Sequence, residues 1–135
     1  MKETNIQTLF SKKIEKNKTS AYELKLVKTK SFPFSRVAEH QKKALLQTKH
    51  NGIGIKLPDM PHFKGSKTRF DLTKPYDYIT IKSPSYIVLC WYIPRKRKTC
   101  YLIDIDVWLF TEEHLGRKSI REEEVKEIAS KKIEL

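Results

Sequence analysis

Apolar residues first recur at helical spacing. Ile6, Leu9, Phe10 and Ile14 line one stripe and predict a helix over residues 3–16. Thr4 followed by Gln7 has the form of a capping box, and Asn17-Lys18-Thr19 breaks the pattern. Over residues 20–28 the period shortens to strand alternation: Tyr22, Leu24 and Leu26 share one face, and Ala21, Glu23, Lys25 and Val27 share the other. Residues 28–34 read as a basic, extended loop, because Pro33 pushes Phe32 away from helical geometry. Ser35 is the expected N-cap of a second helix running to about Lys49, with Val37, Gln41, Ala44, Leu45 and Thr48 facing inward. Asn51-Gly52 closes that helix, and residues 53–57 form a short strand.

Residues 58–75 are loop-like, with few core positions. Alternation returns over residues 77–82, with Asp77, Ile79 and Ile81 on one face, and Ser83-Pro84-Ser85 turns the chain. Residues 86–93 are apolar on both faces, as in a central strand. A basic turn, Pro94-Arg95-Lys96-Arg97-Lys98, leads to a further strand over residues 100–105 and then to Asp106-Val107-Trp108-Leu109-Phe110. Ser119-Ile120-Arg121-Glu122 reads as a capping box for a last helix towards Ile133, with Val125, Ile128 and Ala129 inward. The order is α-β-α-β-β-β-β-α. The first strand, second helix and second strand should form a parallel βαβ unit, and the last three strands an antiparallel meander. The expected fold is α/β: one domain over residues 1–135 with a small mixed sheet flanked by helices.

Composition narrows the function. With 10% aromatic residues, 4 Gly and 6 Pro, the chain is neither collagen-like nor of low complexity. Lys+Arg 28 against Asp+Glu 16 gives a formal charge of +12, which points to a polyanionic partner, nucleic acid first. The longest apolar run, residues 86–93, is far short of the roughly 20 residues a membrane span needs, so no membrane role is expected. The opening MKETNIQTLF lacks the apolar core of a signal peptide, and a cytoplasmic protein is expected. Cys90 and Cys100 allow one disulfide, although two buried thiols are the expected state in a reducing compartment. No CxxC or clustered Cys/His spacing suggests structural zinc.

Glu23-Leu24-Lys25 carries the strongest chemical signal. Two residues apart on a strand, the carboxylate and the ammonium leave the same face, where they suit a divalent ion, a water and a phosphodiester. An isolated pair of this kind is also an ordinary salt bridge on a half-exposed strand. Gln41 faces inward and is placed to orient the Lys25 ammonium or a metal-bound water; His40, one step round the helix, suits DNA contact better than base catalysis. Asp77 opens a strand and is the best second carboxylate, against the alternative of a turn aspartate. Asp104 and Asp106 form a rival D-x-D pair better read as capping residues, and Glu3 is a first-turn carboxylate that a site could also use. Lysines and arginines in or beside loops are the expected phosphate contacts: Lys28, Lys30, Arg36, Lys42, Lys43, Arg69, Arg95, Lys96, Arg97 and Lys98. Phe32 and Phe34 are either base-stacking wedges or core plugs.

Glu23-Leu24-Lys25, then Lys30-Ser31-Phe32-Pro33-Phe34, then Glu39-His40-Gln41 resembles the PD-(D/E)XK nucleases, and among them Holliday junction resolvases of the RecU-like and phage type. The resemblance spans residues 21–46, with a looser match over residues 74–93. It implies a restriction-endonuclease-like core, a Mg²⁺ or Mn²⁺ cofactor, four-way DNA junctions as substrate, and a homodimer that cuts two strands. Glu23 and Asp77 would be metal ligands, and Lys25 and Gln41 would assist. The family's first metal carboxylate normally precedes the carboxylate-x-lysine strand. Here residues 16–20 leave no room for it, so Asp77 and its hairpin imply a permuted core. A basic DNA-binding module with a degenerate nuclease fold is the alternative from another functional class.

Overall fold

The computed structural model describes residues 2–14, 19–56 and 78–135. Its central sheet is built on the most apolar segment of the chain. Strand β5 (Ser85–Trp91) lies between β1 (Ala21–Val27), parallel to it, and β6 (Thr99–Asp104), antiparallel to it. Strand β8 (Lys131–Glu134) adds to β6, giving the order β1-β5-β6-β8. Ile87, Val88, Leu89 and Cys90 are fully buried because β5 is covered on both faces.

One face is covered by α1 (Glu3–Lys13), whose Ile6 and Phe10 pack with Leu24, Leu26, Val88, Leu102 and Ile133. The other carries α2 (Glu39–His50) and α3 (Ile105–His114), together with a short ladder of β2 (Ser31–Pro33) on β7 (Ser119–Arg121). Its core centres on fully buried Trp108, against which Phe32 and Phe34 pack edge-on at 5.9 and 5.1 Å. Phe32 and Phe34 are therefore core residues, not wedges. Cys90 and Cys100 stand opposite each other on β5 and β6 and form a disulfide, where two free thiols were expected.

The mixed sheet and flanking helices agree with the expected class, but several elements differ. The strand after α2, β3 (Ile53–Lys56), does not become the parallel partner of β1. It pairs antiparallel with β4 (Tyr78–Ile81) in a separate two-stranded sheet. Ile53 and Ile55 are about half exposed there, whereas the partner of β1 must be buried on both faces, and β5 is the segment that meets that demand. Gly54 lies under the Tyr78 ring, which occupies the space any Cβ would need. The meander is thereby reduced to the β5–β6 hairpin, with β8 in place of β4 as the further strand.

Helix ends also shift. Helix α2 begins at Glu39 and not after Ser35, which lies in a 3-10 turn over Phe34–Arg36. Asn51 and Gly52, with φ +88°, end it as anticipated. Asp104 caps α3 by accepting a hydrogen bond from Asp106 N at 2.9 Å, so the apolar run after it coils into a helix. Ser119–Arg121 forms β7 instead of a capping box, and α4 (Glu122–Ile128) stops five residues before Ile133. Ser130 then donates to Leu102 O from both its backbone nitrogen, at 2.8 Å, and its hydroxyl, at 3.0 Å, and opens β8.

Candidate functional site

Alternation along β1 turns Glu23 and Lys25 towards the α2 side of the sheet. The Lys25 ammonium lies 3.0 Å from Glu23 Oε1, and the two side chains are only 15% and 27% exposed. Gln41, in the first turn of α2, donates from Nε2 to the same Glu23 oxygen at 2.7 Å. Its own Oε1 accepts the backbone N–H of Ala38 at 2.9 Å. That second bond fixes the amide orientation: with the carbonyl held by an unpaired helix-start N–H, the NH₂ group has to face Glu23. Two side chains, one from β1 and one from α2, thus converge on one Glu23 carboxylate oxygen, while Oε2 accepts no hydrogen bond among the described residues.

Glu23 is the single carboxylate of this cluster among the described residues, and nowhere among them do three or more His, Cys, Asp or Glu side chains form a metal-binding group. Asp77 lies outside the described residues, as does Arg69. The strand that follows Asp77, β4, pairs with β3 and not with β1 or β5, so the expected hairpin of residues 77–92 does not form. No strand borders the outer edge of β1 among the described residues; Arg36 Nη1 instead donates to Leu26 O at 3.2 Å. Of the residues in this cluster, Glu23 alone offers a carboxylate with which a hard divalent cation could be held.

Strand topology gathers much of the positive charge. Because β1 and β5 are parallel, their carboxyl ends lie at the same end of the sheet. The segment after β1 supplies Lys28, Lys30 and Arg36, and the turn after β5 supplies Arg95, Lys96, Arg97 and Lys98. Arg36 is steadied by the Phe32 ring 5.1 Å away, and Lys98 sits 6.0 Å from the Tyr92 ring centroid. Arg121, which the linear pattern did not single out, is brought opposite Ser31 by the β2–β7 ladder. It lines a cleft of about 610 Å³ with Lys28, Lys30 and Trp91, although Glu122 and Glu123 also line it. No local signal could have found Arg121, since its position depends on a pairing across the whole chain.

His40 and Lys43 are exposed on α2, whereas Lys42 is not available for DNA. Lys42 is 6% exposed and bonds Glu39 and Glu112, each at 2.9 Å. Burial works to lower its pKa, but the bonds to Glu112 and then Glu39 outweigh burial and raise it. Asp104 and Asp106 are occupied as well. Lys49 bridges them at 2.8 and 2.5 Å, and His50 Nε2 lies 3.1 Å from Asp106. The bond from Lys49, followed by that from His50, holds the Asp106 carboxyl below its ordinary range. Glu3 lines a separate cleft with Lys28 and Arg36 and bonds nothing in the Glu23 cluster.

Among the described residues no helix is long and apolar enough to cross a membrane. Comparison with protein-family models, curated proteins and solved structures finds no match for the chain.

Proposed function

We propose that this protein is a Mg²⁺- or Mn²⁺-dependent endonuclease acting on branched DNA. The observation that carries this proposal is the convergence of Lys25 and Gln41 on one oxygen of Glu23, on a strand whose carboxyl end is flanked by basic loops. A bound divalent ion would supply phosphate charge neutralisation and a more acidic water. Glu23 would hold that ion, with Asp77 the candidate for a second ligand. The Lys25 ammonium stabilises negative charge developing on the phosphorus-centred transition state. Gln41 is a positioning residue that keeps Glu23 in one rotamer. Lys28, Lys30, Arg36 and the turn of Arg95 to Lys98 hold backbone phosphates, with His40 and Lys43 on the adjoining helix. A four-way junction suits a protein that reads backbone shape and carries no base-reading motif. One chain has one Glu23 centre, so paired incision requires a homodimer.

The test is cutting of end-labelled junction and linear duplex, in Mg²⁺ and in EDTA, by the wild type and by Glu23→Gln. Metal-dependent cutting that Glu23→Gln reduces by at least about 100-fold supports the proposal. Tight junction binding with no metal-dependent cutting refutes it. That outcome points to the alternative, a non-catalytic basic DNA-binding module, which is favoured by Glu23 being the one carboxylate of its cluster among the described residues.

A further inference from the structure

A second groove opens at the other end of the parallel strand pair, where β1 and β5 begin. It has a volume of about 690 Å³, within the range of small-molecule sites. Tyr22 and Tyr86, register partners on β1 and β5, lie along it with their rings stacked at 5.7 Å and 19°. Both belong to the α1 face of the sheet, opposite Glu23 and Lys25. Phe10 closes one side of this stack, meeting Tyr22 edge-on at 5.3 Å. The one ring neighbour of Tyr86 among the described residues is Tyr22. Lys82 and Lys131 line the groove together with the hydroxyl residues Thr19, Ser20 and Ser130, and among the described residues no Asp or Glu lines it.

We propose that this groove binds a nucleotide, with the base continuing the aromatic stack on Tyr86 and the phosphate held by Lys82. Stacking on an aromatic face is open to every base, and the exposed Lys82 ammonium at the rim attracts an anion. The chemistry is that of a free mononucleotide or of one unpaired residue in a single strand. The site is independent of the Glu23 centre and needs no metal.

The test is carried out in EDTA, so cutting plays no part. AMP and a short fluorescent oligothymidylate are titrated separately into the wild type, Tyr86→Leu and Lys82→Gln. The tyrosine ring signals should shift on binding. Tyr86→Leu should weaken binding roughly tenfold or more. Lys82→Gln should weaken binding and reduce its salt dependence. Oligothymidylate binding much tighter than AMP identifies a single strand as the source; comparable affinities identify the free nucleotide; both outcomes support the site. Lys82 is exposed, so its variant remains informative if Tyr86→Leu fails to fold. Unchanged affinity in both variants, or no binding of either ligand to the wild type, overturns the proposal. Junction cutting by Tyr86→Leu should match the wild type, so failure of the nuclease proposal and failure of this one are separable.

Discussion

Gln41→Leu tests whether the helix start holds the Glu23 carboxylate. The substitution keeps the volume of the side chain but removes two bonds: Nε2 to Glu23 Oε1 at 2.7 Å, and Ala38 N to Oε1 at 2.9 Å. A hydrogen bond to a charged group contributes about 1.5–3 kcal/mol. Glu23 is 27% exposed, which places the loss near the low end of that range. Losing the acceptor at a helix start costs about 0.5–1 kcal/mol more. The expected total is about 2 kcal/mol, read from urea unfolding at neutral pH. Glu23→Gln and the double variant complete a cycle, whose coupling energy should be about 1 kcal/mol. If positioning matters for hydrolysis, the rate at saturating junction should fall on the order of 10–100-fold with Kd unchanged. Additivity within about 0.5 kcal/mol, with a normal rate, would show that Gln41 and Glu23 do not act together.

Three further outcomes follow from the ion pairs and the disulfide. Lys42→Met should cost about 1–2 kcal/mol by stranding Glu112, yet leave junction affinity and its salt slope unchanged, whereas Lys28→Ala should reduce the slope by about 1. The Asp106 carboxyl is held low by Lys49, so its stabilisation is present above the ordinary carboxylate range and is lost as pH falls through the lowered value. Asp106→Asn should therefore be less stable than the wild type in thermal melts at pH 7, with the gap closing only in more acidic buffer below that range. Reduction of the Cys90–Cys100 bond, which spans a sequence separation of 10, should lower stability by about 3 kcal/mol in urea titrations with and without reductant. No change would mean that the thiols are not paired in solution.

Periodicity was enough to determine which residues of β1 share a face, although on α2 Ala44, expected inward, is exposed. Alternation placed Glu23 beside Lys25, helical spacing turned Gln41 inward, and the doubly apolar run of β5 marked the sheet centre. These are local properties, because a side chain's direction follows from its own backbone period. Pairing is not local. The parallel partner of β1 turned out to be β5 because burial on both faces outweighed nearness in sequence, and β3 was left to β4. Lys42 looked like any exposed helix lysine until α3 brought Glu112 against it. Phe32 and Phe34 sat in a basic segment but found Trp108, and Arg121 reached Lys30 only through the β2–β7 ladder. Helix α4 ends at Ile128, and Ser130 then bonds Leu102 O on a strand remote in sequence, through both its backbone nitrogen and its hydroxyl. Each of these outcomes depends on groups remote in sequence competing for the same partner, and that competition is settled only when the whole chain has packed.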